Sequence, residues 1–229
     1  MSGQYASPSQ PCRRIATCSA MTWEGRSMDE SITVRPAFPG EVGTIASMWR
    51  EASSWLRSQG SDQWQYPPDL EKISRDVRRG TAYIAHRRKA YLGTITLDDF
   101  ADPEFWSDAD SPRDALYGHR IIVLPSAQGF HVGSALLDWA SKRARAAGKS
   151  WLRVDAWKTN EELGRYYERL DFDFVRRVDL PHRRSGALYQ RSSDTMTNQG
   201  PKVVHLEMPQ HDINGNPSTE GAWGHTSPA

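Results

Sequence analysis

Leu116-Tyr117-Gly118-His119-Arg120-Ile121-Ile122-Val123-Leu124, closed by Pro125, opens the stretch that decides the fold. It is an apolar run of strand length. A small-residue loop follows, Ser126-Ala127-Gln128-Gly129-Phe130-His131-Val132-Gly133. Val132, Ala135, Leu136, Trp139, Ala140 and Ala144 then recur at three- and four-residue steps, which predicts an amphipathic helix over 133–147. Lys142, Arg143 and Arg145 fall outside that stripe and late in the helix, where cations complement its dipole, and Gly148 is a natural stop. Trp151-Leu152-Arg153-Val154-Asp155-Ala156 reads as a second strand. Asn160 leads another helix, which carries Tyr166 and Tyr167 and runs out at Leu170-Asp171-Phe172.

A strand that feeds a glycine-containing loop and then a helix is a ready anion site. The first-turn N–H groups lack intrahelical partners and the dipole end is positive. Gly129 and Gly133 remove side-chain bulk where a phosphate must approach the backbone. The dinucleotide fingerprint is excluded, because these glycines lie four apart with no third to complete it. A Walker loop is excluded too. Gly148-Lys149-Ser150 has Arg143 where that motif needs its first glycine, and it ends a helix instead of opening one.

The order Gln128-x-x-His131-x-Gly133, helix, strand, Asn160, then Tyr167-Glu168-Arg169-Leu170-Asp171-Phe172 resembles the GCN5-related N-acetyltransferase (GNAT) family, over roughly residues 31–191. The resemblance implies a twisted mixed β-sheet flanked by α-helices in a single α/β domain. It implies acetyl-CoA as co-substrate, held through the backbone of Gln128, Gly129, Phe130, His131, Val132, Gly133 and Ser134, with Ile121 and Val123 on the strand and Asn160 on the pantetheine arm. Tyr167 matches the family tyrosine beside the coenzyme sulfur. His131 stands where the family has its first loop glycine, and Asp171 stands where a glycine commonly precedes Phe172. A Cβ at position 131 is accommodated if φ is negative, and the imidazole then comes within reach of phosphate.

Composition sets the remaining bounds. With 229 residues and 38% hydrophobic content, one domain with a full core is expected. A net charge of +1 gives no global case for nucleic acid or an anionic membrane, and no apolar run approaches the roughly 18–20 residues of a membrane span. Cys12 and Cys18 have no companion cluster of zinc-ligand spacing, and no metal is expected. A reduced, cytoplasmic protein is the simplest reading. Residues 1–30 and 192–229 lack helical or strand period and read as low-order arms, with Met28 an alternative start. Val203-Val204-His205-Leu206 alone in the tail has the makings of a short or docked strand. The tail histidines, His205, His211 and His225, are too widely spaced for a metal site.

Between the arms, Ile32–Arg35 reads as a strand and 42–56 as a helix, with Val42, Ile45, Ala46, Trp49, Ala52 and Leu56 on one face. Asp69–Arg79 reads as a second helix. Thr81–Ala85 and Ala90–Leu97 read as a hairpin around His86-Arg87-Arg88-Lys89, and Phe172–Val175 and Ala187–Tyr189 as the last strands. The acidic 98–110 segment reads either as a lure for a cationic amine or as a solvated loop.

Acetyl transfer to an amine needs a base, a polarised carbonyl and a proton for the departing thiolate. Tyr167 is expected to supply that proton; core packing is its alternative role. Tyr166, about 100° away, is expected to be structural. Asn160 is also a fitting N-cap. For the base, strict alternation puts His119 on one face with Tyr117, Ile121 and Val123. Asp155 is a second candidate, with a salt bridge to Arg153 or Arg120 as its alternative. Trp64, Tyr66 and Asp155 are expected to line the acceptor site. The expected acceptor is a small-molecule primary amine, an amino-acid derivative or antibiotic-like compound. A peptide or protein amine, or a coenzyme-binding module without catalysis, are the alternatives, and a homodimer is allowed. No Gly-x-Ser-x-Gly elbow exists for a serine hydrolase.

Overall fold

The computed structural model describes residues 31–207. The arm over 1–30, with Cys12, Cys18 and Met28, and the tail beyond 207, with His211 and His225, lie outside the described residues. Among the described residues eight strands form one sheet: β1 Ile32–Pro36, β2 Ala82–Arg87, β3 Ala90–Asp98, β4 Ala115–Val123, β5 Trp151–Trp157, β6 Asp173–Arg177, β7 Ser185–Ser192 and β8 Val203–His205. Their spatial order is β6-β7-β5-β4-β3-β2-β1-β8. The sheet is mixed: β4·β5 and β1·β8 pair in parallel and every other neighbouring pair is antiparallel. It is covered, among the described residues, by four α-helices: α1 Val42–Ser58, α2 Leu70–Arg78, α3 Val132–Ala146 and α4 Glu161–Glu168. Among the described residues no helix is long and apolar enough to cross a membrane.

Two cores lie on opposite faces. Leu136, Leu137, Trp139 and Ala140 of α3 and Tyr167 of α4 pack on Ile95, Leu152, Val154 and Ala156. Each fully buried leucine there contributes about 1.5–3 kcal/mol of hydrophobic stabilisation. Ile45, Met48, Trp49, Ile73 and Val77 of α1 and α2 pack on Ala82, Ile84 and Ile122 of the other face. The parallel β4–β5 pair requires a crossover, and α3 supplies it. The acidic segment after β3 folds over a third, smaller core of Phe105, Trp106, Ala115, Tyr117 and Leu188. It is clamped there: Asp102 and Glu104 pair with Arg183, and Asp110 with Arg176. Of the acidic residues in that stretch, Asp98 is the one that turns to the site described below.

The tail after β7 docks on the domain. The Asp138 carboxylate of α3 accepts from the Thr197 and Asn198 amides at 3.2 and 2.8 Å, and pairs with the fully buried Arg191 at 3.1 Å. The chain then runs on to β8, which adds to β1.

Candidate active site

Hydrogen-bonded pairing between β4 and β5 covers only Ala115–Gly118 against Trp151–Val154. Beyond that point the strands part: β4 continues against β3 and β5 against β7. The cause lies in β4. Thr96 pairs with His119 and Thr94 with Ile122, so Arg120 and Ile121 together oppose Ile95, and Arg120 takes a left-handed φ of 46°. This is a β-bulge, which bends the strand and sharpens its twist. Opposite it, β3 comes so close that a Cβ on Gly93 would lie 2.2 Å from the Ile122 carbonyl oxygen, so only glycine fits.

The bulge corrects the face assigned to His119. Alternation fails at Arg120, so His119 stays on the α1–α2 face with Tyr117, its ring parallel to that tyrosine at 6.4 Å. Ile121 and Val123 pack instead on the α3–α4 core. Across β3, the Leu124 N–H donates to Leu92 O at 2.9 Å. The same alternation turns the N–H groups of Ile121 and Val123 toward the open edge beside β5.

On the α3–α4 face, the loop from Gln128 climbs to the start of α3. Gln128, Gly129 and His131 are exposed, Phe130 is half-buried, and Val132 and Ser134 are buried beneath. His131 is the N-cap, and its φ is +53°, not the negative value that would seat a side chain without strain. Asp171 also adopts a left-handed φ, 60°, where the resemblance places a glycine; aspartate tolerates that region better than most residues. A Cβ on Gly133 would lie 2.5 Å from the Tyr166 hydroxyl, which hydrogen-bonds Ser134. Tyr166 therefore closes the side of this helix start, the structural part expected of it. Tyr167 is 6% exposed, within reach of the rings of Phe172 and Tyr189. Burial, then the nearby Tyr166 and the Asp155 charge, raise its hydroxyl above the usual tyrosine range, so it holds its proton.

On the α1–α2 face, His119 sits between two carboxylates, Asp155 at 3.3 Å from Nδ1 and Asp98 at 3.4 Å from Nε2. Burial opposes its charge, but the hydrogen bonds and charges of Asp155 and Asp98 prevail and raise it to about 9. Burial likewise works to raise Asp98, and the His119 contact outweighs it, leaving that carboxyl below its ordinary value. Asp155 thus faces His119 and neither arginine considered for it. Arg120 pairs with Asp76 and Thr96, and Arg153 with Tyr117, Gln190 and the Asp110 carbonyl.

The connection from α1 to α2 bridges the mouth of the gap. Asp62 accepts from Trp157 Nε1 at 2.9 Å and Thr159 Oγ1 at 2.8 Å. Gln63 Oε1 accepts from Asn160 Nδ2 at 2.7 Å, while Asn160 Oδ1 caps α4 by accepting from Leu163 N–H at 2.9 Å. Both ends of the Asn160 amide are so engaged. Tyr66, 46% exposed, lies 6.2 Å from Trp157 with nearly parallel rings. Trp64 stacks on Trp49 at 5.0 Å and packs against the α1–α2 core, so of the two Tyr66 is the one left exposed, beside Trp157. Sequence reasoning did not single out Asp62 or Gln63, and it reached Asp98 only as one member of the acidic 98–110 run. Their partners lie 21 to 97 residues away, and no local pattern marks the pairing.

Residues 78–173 match the sequence profile of the acetyltransferase (GNAT) domain. The chain is 22% identical over 163 residues to the uncharacterized N-acetyltransferase YesJ of Bacillus subtilis, covering 69% of this chain and 90% of that protein. Its fold is similar to a GNAT-family acetyltransferase of Listeria monocytogenes, with a TM-score of 0.61, 23% identity, and 70% and 94% of the two chains covered. It is also similar to the PaiA N-acetyltransferase of Thermoplasma acidophilum, solved with coenzyme A, with a TM-score of 0.54, 16% identity, and 71% and 99% covered. Sheet order and the parting of β4 from β5 agree with the profile match: residues 78–173 resemble a GNAT acetyltransferase domain, and the fold is the one seen in these GNAT structures.

Proposed function

We propose that this chain transfers an acetyl group from acetyl-CoA to a primary amine of a small molecule, directly, within a ternary complex. One observation carries the reading. The β4–β5 ladder ends at Gly118 and Val154, which leaves an opening through the sheet with amide donors and Tyr167 on one side and the Asp98–His119–Asp155 cluster on the other. The start of α3 is chemically fit to hold a diphosphate: its first-turn N–H groups lack intrahelical partners, and Gln128, Gly129 and His131 just before it are exposed. When bound, acetyl-CoA supplies the thioester whose C–S bond breaks as the amine nitrogen bonds the carbonyl carbon.

The chain's own groups divide the remaining work. The Ile121 and Val123 amides face the position where an oxyanion develops, and such fixed donors are a large catalytic term. Tyr167 donates its retained proton to the leaving sulfur. Two carboxylates flank one imidazolium, so the acceptor side draws in an ammonium. An arriving positive charge also pushes the His119 proton off, and the neutral imidazole then takes the proton from the amine. Tyr66 and Trp157 border that side with aromatic surface, which supports an acceptor with an apolar part. A peptide amine is the second reading, favoured by the open groove along α1 described next. The test is free-thiol release from acetyl-CoA against a mixed amine panel. Release that requires an amine supports transfer; tight coenzyme binding with no release under any amine points to a non-catalytic module.

A further inference from the structure

Tyr66 borders a second feature as well. A groove of about 380 Å³ runs along the outer face of α1, lined by Trp49, Arg50, Ser53, Ser54, Arg57 and Tyr66, with Pro67 and Pro68 at its end. Arg50 and Arg57 are seven residues apart, two helical turns, so both guanidinium groups lie on one wall about 10 Å apart along the axis. Among the described residues neither has an acidic partner. Arg57 Nε donates to the neutral Gln65 Oε1 at 2.6 Å, and Gln65 is anchored in turn by the Ser53 and Gln63 carbonyls at 2.9 Å. That chain of bonds fixes the Arg57 guanidinium while leaving its charge uncompensated. The loop behind it is held by Ser53 Oγ on Trp64 O at 2.9 Å and Trp49 Nε1 on Tyr66 O at 3.2 Å.

The geometry points to an extended acceptor whose far end is a carboxylate. Its amine lies at the Asp98–His119–Asp155 cluster, its apolar middle on Tyr66, and its acid against Arg50 and Arg57. This rests on the proposed transfer reading and assigns its substrate class. Charge order along the path favours one orientation: the acidic cluster repels a carboxylate and the two arginines repel an ammonium. Uncompensated guanidinium groups recognise carboxylates by paired N–H donors, and an arginine held by a neighbour loses less freedom on doing so.

The experiment uses two tripeptides, Phe-Ala-Glu as the free acid and Phe-Ala-Gln as its C-terminal amide, which share a free N-terminal amine. Binding to the full chain is read by tryptophan fluorescence without coenzyme, so that coenzyme phosphates do not compete, and thiol release is followed separately with acetyl-CoA present. The acid is expected to bind roughly tenfold tighter than the amide at low salt, with the preference shrinking as salt screens it. In Arg50→Gln/Arg57→Gln the ratio falls to near one. Equal binding of the two peptides, binding of neither, or a preference that survives in the double variant overturns the inference. Selective binding of the acid without thiol release leaves the groove assignment standing and counts against the transfer reading instead.

Discussion

The two sides of the opening between β4 and β5 are built from different kinds of group. The α3–α4 side presents backbone amides and one phenol, all fixed by burial: Ile121 and Val123 pack on the main core, and Tyr167 is wedged among Phe172, Tyr166 and Tyr189. The α1–α2 side presents charged side chains that hold one another, Asp98 and Asp155 on His119, and Asp76 on Arg120. Backbone donors keep their geometry whatever the side chains are and cannot be titrated. A cluster of two carboxylates and an imidazolium is adjustable, by pH and by any charge that approaches. The contrast fits a division of labour in which one side grips a constant partner and the other adapts to a particular acceptor.

Substitutions on the two sides therefore fail in different ways, and kinetics separates them. Tyr167→Phe keeps the ring packing and loses only the proton donor, so turnover should drop about 100-fold or more while coenzyme affinity barely moves. Asp155→Asn should lower kcat/KM for the amine by roughly tenfold to 100-fold, again with coenzyme affinity retained, because it removes a partner of His119 and half of the attraction for an ammonium. If either change weakens coenzyme binding as much as turnover, the separation of the two sides is wrong. Gly133→Val should do the reverse. The added Cβ collides with the Tyr166 hydroxyl at the start of α3, and coenzyme affinity should fall about tenfold with little effect on the amine KM.

The pH dependence sharpens the contrast further. His119 is held at about 9, so its base role predicts kcat/KM rising to a break there and not near 6.5. Asp98→Asn removes one of the two carboxylates that hold the proton and should move the break downward; a break set by the amine alone would stay in place. Stability follows with the opposite sign. A folded-state value above the ordinary 6.5 means the His119 contribution is complete below about 6.5 and is lost as pH rises through about 9. His119→Gln should cost about 2 kcal/mol at pH 6 and little at pH 10, as read from urea midpoints.

How much of this was legible in the sequence differs between the two sides in the same way. The α3–α4 side is local in sequence: strand, loop, helix, strand and α4 follow one another, and their periodicity and glycines announce them. Strand and helix bounds came out within a few residues for the same reason. The α1–α2 side is assembled from residues far apart. Asp98 meets His119 only through the β3–β4 register, and that register contains a bulge at Arg120 that alternation cannot foresee. The bulge is why His119 parts from Ile121 and Val123. Trp64 and Tyr66 look equivalent in sequence, yet a left-handed Trp64, with φ 57°, turns its ring onto Trp49 and leaves Tyr66 exposed beside Trp157.

Amide hydrogen exchange, with and without acetyl-CoA, tests the central claim most directly. The account predicts that the Ile121 and Val123 amides and those of residues 129–134 exchange readily in the free protein and become protected together when acetyl-CoA is added. Unchanged exchange at Ile121 and Val123 under saturating acetyl-CoA, or protection confined to the α1–α2 side, would contradict it.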